Sequence, residues 1–195
     1  CTGGFTEAMW DMDVYQDLQG YRRRMREDKR LQNTSTGRYL AKTSRISIIV
    51  PVYNEEKTIC QMQDQLEPLR GTCEILFVDG GSTDRTMEQI RPWVKVIHSK
   101  KGRAKQMNTG ARKSHGDILF FLQCDSELPP RPLAEIRRVM KDHSAGCFGI
   151  AFHSRNFFMF TCRVISNHRI KDRKVMFGDQ GIFVDRSLFF HAGMF

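Results

Sequence analysis

From Arg45 onward, short apolar runs alternate with segments of helical spacing. The first run, at 46–52, is rich in β-branched residues, which is typical of a buried strand. Further strands are expected at 74–78, 94–97 and 118–122, with helices at 59–69, 83–90, 104–114 and 133–142. Strands that alternate with helices form βαβ units. The sequence therefore predicts an α/β fold, with a Rossmann-like, mainly parallel sheet flanked by helices.

Residues 1–44 have a different character and are predicted to form a helical arm followed by a linker. Asp13 is a candidate helix N-cap with Gln16 three residues later, and a run of charges follows at 22–30. The arm resembles the closing segment of nucleotidyltransferase-like domains, and a solvated helical arm is the alternative. A second domain is expected at 45–195. Both chain ends look like cuts in a longer polypeptide, so we expect this domain to be truncated at its C-terminus.

Charge and hydropathy narrow the classes of partner. The formal net charge is +9, which suits anionic partners such as nucleotides, sugar diphosphates or an acidic membrane face. Apolar runs are too short to span a membrane, and no secretory signal is visible. We expect a cytoplasmic protein that can be peripheral to the inner face of the membrane, with its six cysteines reduced and in the core.

Acidic residues follow three of the predicted strands. They are Glu55 after the first strand, Asp79 and Asp84 after the second, and Asp125 and Glu127 after the fourth. In parallel sheets, ligands bind beyond the carboxyl ends of the strands. Three acidic strand ends at one edge of the sheet therefore favour a binding site over ordinary turn chemistry.

The residue types at this edge suit a nucleotide diphosphate. A carboxylate just past a strand can accept hydrogen bonds from ribose or base, and the Gly80-Gly81 pair lets the backbone approach a ligand. Arg103 and Lys105 open a predicted helix, a suitable place for a diphosphate. Asp125 can hold Mg²⁺ or Mn²⁺, with phosphate and water supplying the other ligands.

Four motifs together resemble the family-2 glycosyltransferases of the A-type fold, over most of the chain from about Ser44. They are Ile-Val-Pro-Val-Tyr-Asn-Glu-Glu at 49–56, Val-Asp-Gly-Gly-Ser-Thr-Asp-Arg-Thr at 78–86, Gly-Arg-Ala-Lys-Gln-Met-Asn at 102–108 and Gly-Asp-Gln-Gly at 178–181. The last two look most like the subgroup associated with radical-SAM gene clusters. The expected fold is then the A-type glycosyltransferase fold with an N-terminal helical arm.

The resemblance implies a role for each matching residue. Asp79 would hold the nucleotide base and Asp84 the ribose region, while Asp125 would bind the metal and Asp179 would be the catalytic base. The full set expected to bind the nucleotide is Pro51, Asn54, Glu55, Asp79, Gly81, Ser82, Asp84, Arg103, Lys105 and Asn108.

The chain departs from the family pattern at one position. The family commonly shows Asp-x-Asp where this chain has Gln123-Cys124-Asp125, so the first acid is missing. Glu127 is then a candidate second metal ligand. Alternatively, Arg103 and Lys105 neutralise the leaving diphosphate.

The predicted activity is transfer of a sugar from a nucleotide-diphosphate sugar to an acceptor hydroxyl, with inversion, by a hexosyltransferase-type enzyme. The nucleotide is expected to carry uridine or guanosine, and the acceptor to be lipid-linked or at a membrane surface; no nucleic-acid partner is expected.

Two alternative functions stay open. A nucleotidyltransferase would need a Gly-rich basic loop after its first strand, where this chain has Asn54-Glu55-Glu56. A non-catalytic nucleotide-sugar-binding fragment is the other.

Overall fold

The computed structural model describes Arg24, residues 28–32, Thr34, residues 44–148 and residues 181–195. The chain divides into two units, Cys1–Thr43 and Ser44–Phe195, and each is treated by itself. In the first unit, α1 (Lys29–Gln32) is one helical turn at the end of the predicted run of charges. Apart from Arg24, Asp28, Thr34 and Ser44, the rest of the predicted arm and linker lies outside the described residues.

A six-stranded sheet forms the centre of the second unit. Its strands are β1 (Ile46–Val52), β2 (Glu74–Asp79), β3 (Lys95–His98), β4 (Ile118–Phe121), β5 (Ala145–Cys147) and β6 (Ile182–Asp185). Their spatial order is β3-β2-β1-β4-β6-β5. The first four strands in that order run parallel, and β6 pairs antiparallel with both β4 and β5. The mainly parallel α/β sheet predicted from the sequence is confirmed.

Helices cover both faces of the sheet. They are α2 (Ile59–Leu66), α3 (Arg103–Lys113), α4 (Pro132–Val139) and α5 (Arg186–His191). Strand β1 contributes side chains to the core on both faces of the sheet, because successive side chains point to opposite faces. Ile48 packs in the core layer that contains α2 and α4, and Ile49 packs in the layer that contains α3 and α5. Both residues are fully buried, and burying each contributes about 1.5–3 kcal/mol relative to exposure.

The helix predicted at 83–90 is wrong in extent. The structure has only a 3₁₀ turn there, Met87–Gln89. The part that is not helical is 83–86, where the Asp84 carboxylate accepts from the Thr86 N–H at 3.0 Å and so forms a local turn that competes with a helix. Gln63 holds the other end of the segment, because its carboxamide donates to the Gln89 carbonyl at 3.0 Å and accepts from the Arg91 N–H at 2.6 Å. The other predicted elements match to within a few residues, whereas β5 and β6 were not predicted.

Four cysteines lie in the described part of the chain, and none of the four forms a disulfide: Cys60, Cys73, Cys124 and Cys147. Cys124 is buried as expected, but Cys60 is exposed and donates to the Gln89 side chain at 3.4 Å. Cys60 is therefore not a core residue.

None of the helices in the described part combines the length and hydropathy that a membrane span requires.

At the amino ends of the strands, Glu74 gathers several donors. It accepts from the Ser47 hydroxyl at 2.5 Å and from the His115 N–H at 2.7 Å, and the His115 ring lies 3.0 Å from its other oxygen. Burial by itself would raise the pKa of Glu74, but these hydrogen bonds outweigh burial and hold that pKa below its usual range. The ionised carboxylate thus links β1, β2 and the segment that leads into β4.

This depressed pKa predicts a pH-dependent contribution to stability. Because the folded-state pKa lies below the unfolded value of about 4.5, the contribution is present above pH 4.5 and is lost as the pH falls through the lower folded value. Denaturant unfolding from pH 3 to 7 should show that Glu74→Gln removes this dependence. Glu88→Gln, at an exposed ion pair, is the control and should leave the profile unchanged. Parallel profiles for wild type and Glu74→Gln would contradict the assignment.

Candidate functional site

Three loops leave the sheet at one edge, because β1, β2 and β4 are adjacent and parallel. They follow the carboxyl ends of these strands at residues 53–58, 80–86 and 122–128. The chain goes from β1 to β2 on one side, and β4 later pairs on the other side of β1, so the strand order reverses between β1 and β4. Such a reversal opens a crevice at the carboxyl edge, where ligands of α/β sheets bind.

The loops after β1 and β2 are joined by hydrogen bonds in both directions. The Asn54 N–H donates to the Ser82 hydroxyl at 3.0 Å, and the Asn54 side-chain oxygen accepts from the Thr83 N–H at 2.8 Å. Asn54 has a φ of 56°, in the left-handed region that asparagine tolerates better than most residues. The two loops therefore form one connected surface.

A second connection lies deeper and is centred on Thr86, which is fully buried. Its hydroxyl donates to Asp84 and accepts from the Glu55 N–H at 2.7 Å, while Asp84 also accepts from the Glu56 N–H at 3.2 Å. Desolvation alone would raise the pKa of Asp84, but the bonds from Thr86 and Glu56 outweigh it and lower that pKa. Asp84 thus anchors the loops as a carboxylate.

Asp79 ends β2 and is only 3% exposed. One carboxylate oxygen accepts from the Gly81 N–H at 3.0 Å, and the other accepts from the N–H and the hydroxyl of Ser82 at 3.0 and 2.7 Å. Burial would raise the pKa of Asp79, but these bonds hold it below its usual range. The observed contacts of the carboxylate are therefore mainly with its own loop, and the oxygen bonded by Gly81 also lies 3.5 Å from the ring of exposed His98.

Gly81 is an exposed part of this loop. Its φ is 88°, a conformation that side chains rarely adopt, and a Cβ placed there would meet nothing within 4 Å. The loop thus presents open backbone between Asp79 and Ser82, which agrees with the close approach expected from the sequence.

Positive charge borders this surface at the start of α3. Arg103 and Lys105 are exposed in its first turn, and among the described residues no side chain caps the helix, whose N-cap is Gly102. The Lys101 ammonium lies 4.1 Å from the centre of the Tyr53 ring, next to Asn54. A helix N-terminus carries partial positive charge, so cations and backbone dipole act together on any anion here.

The loop after β4 forms the other wall of the crevice. Gln123 and Cys124 are buried, whereas Asp125 is exposed. Gln65 of α2 holds this loop by donating to the Ser126 carbonyl at 3.2 Å and accepting from the Leu128 N–H at 2.7 Å. The exposed carboxylate of Asp125 therefore projects from an anchored segment.

Cys124 connects this wall to the loop after β1. Its sulfur lies 3.6 Å from the Thr58 hydroxyl, which donates to the Glu55 carboxylate at 2.6 Å. Burial raises the pKa of Cys124 to about 12, with further contributions from the charges of Glu55 and Asp125. In the absence of a bound metal, a thiol with this pKa stays protonated near neutral pH.

Few side chains in the described part of the site are placed to bind a metal ion. Within the described ranges, no three His, Cys, Asp or Glu side chains come together in a way that could hold an ion. Asp125 has the chemistry that Mg²⁺ and Mn²⁺ prefer, and such ions commonly take few protein ligands and complete their shell with phosphate and water. Asp125 therefore fits a cation held jointly with a diphosphate.

Two expected site residues, Asn108 and Pro51, lie apart from the loop contacts described above. Asn108 bonds through both ends of its amide to the Phe195 backbone, at 2.9 and 3.2 Å, and not to the other expected site residues. Pro51 lies within β1, opposite Val78 in the register. Asp179 lies outside the described residues.

Sequence reasoning missed Gln106, Thr86 and Gln65, which hold the site together. Gln106 had a visible signal, because it is a polar residue next to Met107 on the buried face of an amphipathic helix, one turn before Gly110. Thr86 ends the motif at 78–86, but its contacts, like those of Gln65, join segments that are distant in sequence and could not be predicted from either segment alone.

Known proteins share both the sequence pattern and the fold. A family model described as "Glycosyl transferase family 2" matches residues 47–194. The uncharacterized glycosyltransferase YkcC of Bacillus subtilis is 30% identical over 108 residues, which are 49% of this chain and 33% of that protein. The dolichol-phosphate mannosyltransferase of Pyrococcus furiosus is 28% identical over 109 residues, 51% of this chain and 31% of that protein. The chain thus spans about a third of the length of these relatives.

Two solved structures share the fold. The mannosyltransferase PcManGT from Pyrobaculum calidifontis, in complex with GDP-Man and Mn²⁺, has a TM-score of 0.57 at 24% identity, over 79% of this chain and 48% of that one. Glucosyl-3-phosphoglycerate synthase from Mycobacterium tuberculosis, with Mn²⁺, UDP-glucose and phosphoglyceric acid, has a TM-score of 0.57 at 20% identity, over 80% and 62% of the two chains.

The Thr86 connection makes a direct prediction about stability. Thr86→Val keeps the volume but leaves the part-buried Glu55 N–H without its acceptor, which should lower the free energy of unfolding by about 1–3 kcal/mol. Thr86→Ser keeps the hydroxyl and is the control. Urea denaturation measures both variants, and equal stability of Thr86→Val and Thr86→Ser would refute the connection.

Proposed function

The chain belongs to glycosyl transferase family 2, and on that basis we propose that it transfers a hexose from a nucleoside diphosphate sugar to an acceptor hydroxyl, with inversion. One observation carries the proposal: an open, internally bonded backbone at Gly81 lies at the carboxyl edge that is bordered by the cationic start of α3 and by Asp125. The first two features suit a nucleoside diphosphate, and the third suits a cation bound with it.

The nucleoside is proposed to lie along the joined loops after β1 and β2. Gly81 and Ser82 would offer backbone contacts, with Pro51, Asn54 and Glu55 shaping the pocket. Asp79 would act chiefly by holding Gly81 and Ser82 in place, with its oxygen near His98 as the part that can reach a base. Asp84 would act in the same way beneath the ribose region. Uridine or guanosine is the expected base, as in the donors of the two solved relatives.

The diphosphate is proposed to lie at the start of α3, against Arg103 and Lys105. A divalent cation, when bound through Asp125, would neutralise charge on the departing diphosphate. The two cations of α3 supply the same kind of stabilisation from the protein itself, acting on charge that develops as the sugar–phosphate bond breaks.

Asp179 is proposed as the general base. The support is its motif, together with the register of β6: Ile182 pairs with Phe121 at the carboxyl end of β4, so the chain enters β6 at the edge that carries the site. Asp179 would take the proton of the acceptor hydroxyl while the oxygen attacks the anomeric carbon from the face opposite the leaving diphosphate, whose oxygen keeps the bonding electrons. General-base assistance of this kind is worth about 10²–10⁴-fold.

A lipid-linked acceptor, or one at a membrane surface, is proposed for two reasons. The net charge of +9 favours an anionic surface. The relative from Pyrococcus furiosus is named for a lipid phosphate, dolichol phosphate. A phosphate acceptor differs from the hydroxyl acceptor proposed here, because a phosphate oxygen is already anionic and needs no general base.

A thermal-shift panel of UDP- and GDP-sugars, with and without Mn²⁺, tests the donor class. A ligand that binds only the folded state raises its stability, so at least one donor should raise the melting temperature. Release of nucleoside diphosphate by the full-length protein then separates a transferase from a non-catalytic binder. No shift with any uridine or guanosine donor would contradict the proposal.

Metal affinity should depend on the diphosphate. Mn²⁺ should bind weakly alone and at least about tenfold more tightly when UDP or GDP is present, because phosphate oxygens complete its shell. Asp125→Asn should abolish this difference, whereas Glu135→Gln, an exposed residue of α4, should not. Calorimetric titration measures the effect, and equal Mn²⁺ affinity with and without nucleotide would exclude a jointly held cation.

The general base is tested by Asp179→Asn in the full-length protein. The amide keeps the size of the side chain but cannot take the proton, so turnover should fall by at least about 10²-fold while donor affinity and melting temperature stay nearly unchanged. Retention of most of the turnover would place the base elsewhere, or indicate an acceptor that is already anionic.

A further inference from the structure

We infer that Gln106 is a positioning residue for the donor nucleotide, holding the strand ends and the cationic helix start at a fixed separation. The inference rests on the proposed function and adds to it a residue that does not itself touch the ligand. It comes from the contacts of a single buried amide, which joins three parts of the site.

Gln106 lies in α3 and is only 3% exposed. Its side-chain nitrogen donates to the Val52 carbonyl and to the Val78 carbonyl, each at 2.8 Å. Val52 is the last residue of β1, and Val78 is the penultimate residue of β2. The NH₂ group has two protons, so both are committed to the ends of the two strands that carry the nucleotide loops.

Gly80 completes this arrangement from the other side. It opens the loop after β2, and its N–H donates to the same Val52 carbonyl at 3.0 Å. A Cβ built on Gly80 would lie 3.0 Å from both the carbon and the nitrogen of the Gln106 amide, closer than ordinary contact. The amide therefore packs directly against Gly80, immediately before the open backbone at Gly81.

The position of Gln106 along α3 explains why its hydrogen bonds to the strand ends matter for ligand binding. Arg103 and Lys105 precede it within one turn of the same rigid helix. Fixing Gln106 to Val52 and Val78 therefore also fixes the two cations relative to the loops. A nucleoside diphosphate must reach both the loops and the cations, so its affinity depends on their separation.

No other common side chain of this size supplies the same contacts. Glutamate would place a charged acceptor against two carbonyl oxygens, and methionine would leave both carbonyls without this donor. The buried amide thus has a specific role at the strand ends, beyond filling space.

Gln63 offers a matched control within the same chain. It is a fully buried glutamine whose side-chain nitrogen also donates to two carbonyls, those of Ile59 at 3.1 Å and Gln89 at 3.0 Å. These two carbonyls lie in α2 and at the end of the 3₁₀ turn, and neither belongs to a strand end. Removing either amide costs stability, but only the loss of Gln106 should disturb the site.

The experiment compares Gln106→Ala with Gln63→Ala in the full chain, by calorimetry with UDP and GDP in the presence of Mn²⁺ and by thermal unfolding. Both variants should lower the melting temperature. Gln106→Ala should also weaken nucleotide binding at least about tenfold, while Gln63→Ala should leave it within about twofold of wild type at a temperature where both are folded.

Gly80→Ala provides a second variant that keeps every original side chain. Gly80 has no left-handed φ, so an added methyl acts through its contact with Gln106. Gly80→Ala alone should weaken nucleotide binding. In the Gln106→Ala background, where the amide is gone, the same methyl should cause little further loss, so the two effects should be clearly non-additive.

The outcomes separate this inference from the proposed function. Wild type that binds neither UDP nor GDP contradicts the proposed function, and this inference with it. Wild type that binds, with Gln106→Ala no weaker than Gln63→Ala, overturns the positioning role alone. Additive losses in Gly80→Ala and Gln106→Ala would also overturn it, because the methyl would then act independently of the amide.

Discussion

The site depends on how the chain satisfies its backbone polar groups where parallel strands end. Beyond Val52 and Asp79 the sheet no longer supplies partners, and buried N–H and C=O groups cannot remain unpaired without a cost of about 1–3 kcal/mol each. Side chains replace the missing strand partners. Asp79 and Thr86 bond the loop backbones, and Gln106 bonds the strand carbonyls. Side chains thus satisfy backbone groups at this edge of the sheet, together with the Gly80 N–H that donates to the Val52 carbonyl.

The same need for hydrogen-bond partners explains why acidic residues at this edge differ in role. Asp79 and Asp84 have lowered pKa values because each accepts several N–H and O–H donors, so they are ionised and largely occupied by their own loops. Asp125 is exposed on a loop that Gln65 holds. The first two carboxylates therefore build the surface, whereas the third is exposed, as the proposed metal-binding role requires.

Strand and helix patterning made the fold predictable, but contacts between distant loops did not follow from it. The buried runs at Ile46–Val52 and Glu74–Asp79 are short, continuous and apolar with β-branched residues, which is typical of strands covered on both faces. The segment at 83–90 has helical spacing as well, yet its first residues bond to Asp84 and to Asn54, 29 residues away, and do not form a helix. Asn108 was assigned to the nucleotide from its motif, and its pairing with Phe195, 87 residues away, is equally invisible to local reasoning.

Amide hydrogen exchange with and without UDP or GDP, in the presence of Mn²⁺, tests most directly whether this edge is the donor site. Nucleotide binding here should slow exchange in residues 53–56, 80–84 and 101–106. Exchange at the opposite edge, in the amides of Ser47, His115 and Gly116, should not change. Protection confined to the opposite edge, or binding without protection around Gly81, would contradict a donor site at the carboxyl ends of the strands.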